Sequence, residues 1–291
     1  MGTSISAEAA LRRHAILCVL ASSACFAVSS GLVKAVSGDI PTMQIVFFRS
    51  LFAGMVVAPL LWRHGGISAL ATRRPWMHAL RCTMGLGGMW CAFYGLGGLP
   101  LATNTALGFA MPLILTLLAI PLLGERVTWQ RMMVVLAGLG GVLVICRPWT
   151  SGIALIPALV VLVGDVFWAA TMITIRRMGA VGEANVTIVL WFAIAGTVVA
   201  GITAIPVWVM PTLLQFAALA AVGVVSGLAQ MLMTEGYRSG QASVVAPFEY
   251  GAILYTTLMG IVIWGEWPDG FTLAGIAIIV GAGLYLWRTE R

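Results

Sequence analysis

The chain has 291 residues, 60% of them apolar and 9% charged, with a mean hydropathy of +1.01. Soluble domains carry about 25% charged residues, so this composition cannot build a water-facing surface, and most of the surface must face lipid. The formal charge of +6 does not point to nucleic acid, because the basic residues lie in short gaps between apolar runs, where they act as topology signals.

Crossing a hydrocarbon core ~30 Å thick takes about 20 apolar residues. The sequence offers ten such runs, at 15–36, 42–62, 75–97, 101–122, 127–146, 152–173, 184–205, 211–234, 241–263 and 269–287. The first follows Arg12, Arg13 and His14 but exceeds the length of a signal-peptide core, which predicts an uncleaved span. The gaps are short, and Gly or Pro punctuates them at 38–41, 97–100, 148–152 and 268–270. Backbone groups in lipid must be satisfied internally, so the runs are predicted as helices. They are too long and too uniformly apolar for barrel strands.

Loop charge predicts orientation. With the N-terminus inside, the cytoplasmic segments hold thirteen arginines (12, 13, 63, 73, 74, 81, 126, 131, 176, 177, 238, 288 and 291), and the other side holds Lys34 and Arg147. That asymmetry places both termini in the cytoplasm.

The chain also repeats itself. Residues 95–147 slide without a gap onto 236–288, a shift of 141 that aligns Leu113/Leu254, Thr116/Thr257, Leu117/Leu258, Ile120/Ile261, Gly124/Gly265 and Glu125/Glu266. Positions 113, 116, 117, 120 and 124 lie on one helix face. A period near half the chain indicates duplication, with a first unit at 1–147 and a second at 148–291. Five spans per unit is an odd number, so the second unit is predicted to be inverted. The expected fold is an all-α integral membrane protein, ten transmembrane helices forming two inverted five-helix repeats around a central cavity. Inverted repeats of this kind are common in secondary transporters, with the solute held at their interface.

Nothing in the motifs suggests catalysis. His14, His64 and His78 form no ligand cluster, and neither H-E-x-x-H, G-x-S-x-G nor a Walker A sequence occurs. The chain is expected not to be an enzyme and to need no metal or cofactor. Cys18, Cys25, Cys82, Cys91 and Cys146 lack metal spacing and are expected as free thiols in apolar surroundings. A single lysine against 15 arginines, with abundant Ala, Gly and Val, suggests a bacterial source and hence the inner membrane.

Three charges lie well inside apolar runs: Arg49, Asp165 and Glu249. Each costs about 2.5–3.5 kcal/mol at a helix centre, so each must be paired, protonated or water-facing. Under the shift of 141, Asp165 aligns with Ala24 and Glu249 with Gly108, so the charges break the repeat as a site for an asymmetric solute would. Glu249 is a candidate for substrate binding and for proton coupling, or alternatively a fixed partner of Arg49. Asp165 is a candidate for lining the cavity, or for a hydrogen bond between packed helices. Arg49 reads as a gate or structural ion pair. Among aromatics, Trp90, Tyr94, Phe109, Trp168 and Tyr250 are candidates to stack on a planar ring or hold a cation; Trp90 and Tyr94, four apart, share a face. Asn104 is a candidate polar contact, with Thr105, Thr116, Thr171 and Gln230 as further ones. Pro112 and Pro157 are placed to bend helices and so to let one bundle rock against the other.

Phe47-Phe48-Arg49 in the second run, Gly124-Glu125-Arg126 closing the fourth, and Ala242-Ser243-Val244-Val245-Ala246-Pro247-Phe248-Glu249-Tyr250 opening the ninth carry a resemblance. Together with ten runs in two halves, they resemble the EamA-type branch of the drug/metabolite transporter superfamily. The resemblance covers nearly the whole chain. It implies a 5+5 helix carrier whose cavity is lined by runs 1–4 and 6–9, with runs 5 and 10 peripheral. Arg74-Pro75, His78, Arg81, Trp90 and Tyr94-Gly95-Leu96 are similar to members carrying S-adenosylmethionine; riboflavin carriers and amino-acid exporters belong to the same group. The expected partners are a small-molecule substrate, the lipid bilayer and protons as coupling ion, in a monomer or homodimer. Export of amino acids or drugs, or lipid flipping, is the alternative.

Overall fold

A computed structural model of the chain describes residues 2–64, 66–98, 107–108, 110–124, 128–146, 155–245, 248–249, 251–265, 267 and 269–289. Among them every regular element is helical. The first half contains α1 (Gly2–Val36), α2 (Thr42–Val57), α3 (Pro75–Gly98), α4 (Met111–Leu123) and α5 (Trp129–Cys146). The second contains α6 (Leu155–Ala180), α7 (Asn185–Ala204), α8 (Leu213–Ser239), a short α9 (Ala242–Val245), α10 (Gly251–Trp264) and α11 (Gly270–Thr289). Tight 3₁₀ turns at Ala58–His64 and Gly66–Leu70 join α2 to α3.

Among the described residues, five helices are long and apolar enough to cross a membrane: Ala10–Val36, Thr42–Arg63, Ile156–Ala180, Asn185–Val207 and Leu213–Ser239. Shorter apolar helices lie at Met132–Gly141, Leu254–Ile263 and Leu273–Ala282.

The helix ends follow local chemistry. At the start of α8 the Thr212 hydroxyl accepts from the Gln215 backbone N–H (3.3 Å) and the Gln215 side chain accepts from the Thr212 N–H (2.8 Å), a reciprocal cap. Helix α4 stops at Gly124 with φ 66°, and α10 is followed by Gly265, also at φ 66°. These glycines are 141 apart, and both adopt the left-handed conformation that glycine accepts without a Cβ penalty. Pro112 lies in the first turn of α4, one residue after Met111, where a missing N–H costs nothing. Pro121 lies inside the same helix.

The major packing partners cross between the halves. Helix α1 packs on α8, α3 on α6, α2 on α7 and α8, and α5 on α11; α4 packs on α6, and α1 on α10. Exchanging the halves maps α1–α8 onto α6–α3 and α4–α6 onto α10–α1, and returns α2–α7 and α5–α11 to themselves. Bare backbone permits the closest approaches. A Cβ added to Gly164 of α6 would fall 2.7 Å from Cys91 Cβ of α3, and one added to Gly223 of α8 would fall 2.3 Å from Phe52 Cβ of α2. The largest core cluster, which includes Val19, Leu115, Met172, Ile175, Met178 and Tyr237, ties α1, α4, α6 and α8 together. Cys18, Cys82 and Cys91 are buried and Cys25 is half-buried, all as free thiols.

Candidate functional site

A cavity of about 370 Å³ opens between the halves, within the range of small-molecule sites (about 300–1,000 Å³). Helix α1 contributes Ser22, Ser23, Phe26 and Ser30, α2 contributes Arg49, and α3 contributes Gly88 and Ala92. Gly108 and Met111 come from the fourth run, and Val161, Gly164, Asp165, Trp168 and Met172 from α6. Met233, Glu249 and Ala252 complete the wall. Four pairs of lining residues are 141 apart: Ser23/Gly164, Ala92/Met233, Gly108/Glu249 and Met111/Ala252. Among the described residues, none of α5 or α11 belongs to the lining.

The close α2–α8 crossing sets Arg49. Its Nε donates to Ser226 Oγ (3.0 Å), its Nη1 lies 3.3 Å from Met89 Sδ, and its guanidinium carbon is 5.9 Å from the Phe26 ring centroid. Ser226 Oγ also lies 2.8 Å from Ser29 Oγ, linking α8 to α1. Asp165 is 3% exposed, and its Oδ2 has no hydrogen-bond partner among the described residues. Glu249 Oε1 accepts from the Tyr237 hydroxyl at 2.7 Å. Among the described residues no ion pair joins Arg49 to Asp165 or Glu249. The fixed Arg49–Glu249 pair is thus not formed: a serine hydroxyl and a tyrosine hydroxyl hold the two charges separately. The serines of α1 partly satisfy themselves, Ser22 and Ser23 donating to the Val19 carbonyl at 2.9 and 3.0 Å. Cavity walls therefore carry one cation and two carboxylates over a largely apolar surface containing Phe26, Trp168 and Met172.

The structure brings together four of the sequence candidates, Arg49, Asp165, Trp168 and Glu249. Trp90 and Tyr94 do share a face of α3, but they are 62% and 50% exposed and absent from the lining. Gly88 and Ala92 are the residues of α3 that reach the cavity, and a bulky ring cannot replace them, since a Cβ on Gly88 would already fall 2.9 Å from Trp168. Asn104, Phe109 and Tyr250 lie outside the described residues, as does the side chain of Pro112. Thr171 donates to the Phe167 carbonyl of its own helix (3.0 Å). Ser22, Ser23, Ser30 and Tyr237 were not singled out from sequence; the α1 serines recur at 22, 23, 29 and 30, a polar stripe that could have flagged them.

Two polar latches flank the cavity. At one, Gln44 donates to the Val209 carbonyl (2.6 Å) and accepts from its N–H (3.0 Å), while Gln215 donates to Asp39 (3.0 Å). At the other, Glu183 accepts from the Thr72 hydroxyl (2.6 Å) and lies 3.4 Å from His78 Nε2. There Asn185, 141 residues after Gln44, donates to the Met231 carbonyl (2.9 Å) and to Glu235 (3.1 Å). Arg81, assigned from sequence to a cytoplasmic segment, is a residue of α3 and fully buried. No group of three or more His, Cys, Asp or Glu residues able to hold a metal occurs among the described residues.

Comparison with known proteins agrees with this architecture. The EamA-like transporter family matches twice, at residues 13–147 and 155–288. The chain belongs to the EamA-like transporter family. It is 34% identical to the pseudopaline exporter CntI of Pseudomonas aeruginosa, over 97% of this chain and 98% of that protein. An S-adenosylmethionine uptake transporter of Rickettsia bellii is 29% identical, over 86% of this chain and 85% of its own. A riboflavin transporter of Rhizobium johnstonii is 30% identical, over 86% and 82%. A solved crystal structure at 22% identity superposes with a TM-score of 0.79, covering 98% of this chain and 99% of its own, and so shares the fold. This EamA-family chain is thus a multi-pass bacterial membrane transporter of small molecules and not an enzyme.

Proposed function

We propose that the chain is a secondary carrier working by alternating access, and that its solute combines a planar or apolar body with charged groups of both signs. One observation carries this reading: a single cavity holds Arg49, Asp165 and Glu249 with no ion pair among them. Charges kept apart at a cost of several kcal/mol are available to a ligand, and a zwitterionic head meets all three. Trp168 and Phe26 supply faces for the body of the solute.

The carrier reading includes ten spans in two inverted repeats with both termini cytoplasmic. Support comes from the four lining pairs 141 apart, the packing pattern that survives exchange of the halves, and the thirteen-to-two division of basic residues. Rocking of one half against the other breaks one latch while keeping the other. The relatives' names make S-adenosylmethionine, riboflavin and pseudopaline the first solutes to try. Glu249 is the proposed coupling residue: protonation removes the charge while the Tyr237 hydroxyl keeps a carboxyl oxygen to donate to.

The test is a thermal-shift screen of purified protein against metabolites, followed by uptake of each hit into proteoliposomes. Saturable uptake lost in Arg49→Met and Asp165→Asn is expected. Uptake of hits that is indifferent to both substitutions rejects the site.

A further inference from the structure

We propose that Arg81 of α3 and Gln230 of α8 form a second binding station for a small monovalent anion, one helical turn along α8 from Ser226, which holds Arg49 at the central cavity. The anion is either a carboxylate group of the transported solute, which rests on the carrier reading above, or a free halide, which does not.

Arg81 is 0% exposed. Its guanidinium carbon stacks 3.9 Å from the Phe192 centroid, and its Nη2 donates to Gln230 Oε1 at 3.1 Å. Arg81 Nε, Arg81 Nη1 and Gln230 Nε2 have no hydrogen-bond partner among the described residues. One guanidinium and the amide bonded to it therefore leave three nitrogen donors, all buried, without an acceptor. Nearby carboxylates are already engaged: Glu183 by Thr72 and His78, and Glu235 by Asn185 and by Arg238 at 3.1 Å. A buried cation with no counter-charge and one acceptor for its several donors is a costly arrangement in a protein interior. The deficit here is of acceptors, so the chemistry that cures it is anionic.

Stacking on Phe192 fixes the guanidinium plane. Nη2 is bonded to Gln230, which leaves Nε and Nη1 as the donors still open to an anionic acceptor. Position links the station to the cavity. Arg81, Gly85 and Met89 follow one another at spacings of four on α3, and Gln230 follows Ser226 by four on α8. Met89 and Ser226 are the residues that hold Arg49 at the cavity wall. Ser226 and Gln230, which hold the two guanidiniums on α8, are thus one turn or about 6 Å apart, and Met89 and Arg81 on α3 are about 12 Å apart. Between them Gly85 makes room for the Arg81 guanidinium and the Phe192 ring, since a Cβ there would fall 2.5 Å from Arg81 Nη1 and 2.9 Å from Phe192. Buried polar atoms without partners continue past the station, at Thr234 Oγ1 and His78 Nδ1.

The experiment uses purified full-length protein in detergent with isethionate as the bulk anion. Chloride, formate or acetate is titrated at constant ionic strength while thermal unfolding is followed. A saturable rise in Tm is expected in the wild type and in Arg49→Met. In Arg81→Met the rise should disappear or its midpoint move by about tenfold or more, the worth of one charge-assisted hydrogen bond. If Arg81→Met does not purify folded, Gln230→Leu should weaken the anion midpoint instead. Response to formate and acetate assigns a carboxylate; response to chloride alone assigns a halide. The proposal is overturned by no anion-specific rise in the wild type, by an equal rise in the Arg81→Met or Gln230→Leu protein used, or by loss of the rise in Arg49→Met with retention in Arg81→Met. Because unfolding requires no transport, failure of this station and failure of the carrier reading are separately visible.

Discussion

Replacing Gly223 with alanine probes how Arg49 is held. The added Cβ would fall 2.3 Å from Phe52 Cβ, 3.1 Å from the Phe48 carbonyl and 3.2 Å from the Arg49 carbonyl. Ordinary contact begins at 3.4 Å, so α2 and α8 must separate by about 1 Å at this crossing. Two of the three obstructing atoms are backbone and cannot rotate away. Overpacking of this kind costs about 1–3 kcal/mol. The same displacement stretches the Arg49 Nε to Ser226 Oγ bond from 3.0 Å to beyond hydrogen-bond range. Thermal unfolding of Gly223→Ala is expected several degrees below wild type, with uptake of any identified solute lost at temperatures where the protein stays folded. Gly140→Ala on α5 is the control, because nothing lies within 4 Å of its added Cβ; it should be neutral or stabilise by up to about 1 kcal/mol through helix propensity. Equal Tm values for the two alanine variants would refute the close-crossing argument.

Four further outcomes follow from the site and the latches. Glu249→Gln keeps an oxygen for the Tyr237 hydroxyl, so folding should be preserved, gradient-driven accumulation abolished and solute exchange retained; an unchanged pH dependence of uptake in this variant rejects proton coupling through Glu249. Asp165→Asn should change Tm little, since Oδ2 has no partner to lose, yet reduce uptake at least tenfold if the solute bears a cation, measured as kcat/KM in proteoliposomes. Gln44→Ala removes both bonds to Val209 and should lower stability by about 1–3 kcal/mol, read by thermal unfolding. Cysteine labelling from the two sides should reach 63–74 from inside and 147–152 from outside; labelling of both from one side refutes the inverted arrangement.

The sequence by itself determined that the chain lives in lipid, because 9% charged residues cannot coat a soluble domain. The shift of 141 legible in 95–147 also relates the left-handed glycines 124 and 265 and four pairs of residues in the cavity wall. Arg49, Asp165 and Glu249 were legible because a charge inside an apolar run demands a reason. Direction around the helix axis was not. Trp90 and Tyr94 share a face of α3 but not the one that lines the cavity, since the half of the helix that holds them has no charged residue to fix its rotation in the sequence, and the α3–α6 contact through Gly88 and Gly164 turns it. Arg81 near the start of an apolar run read as a loop charge, and packing against Phe192 and Gln230 made it buried. Which charges meet, and which are held apart by Ser226 and Tyr237, depends on residues far apart in the chain, so that decision belongs to the tertiary structure alone.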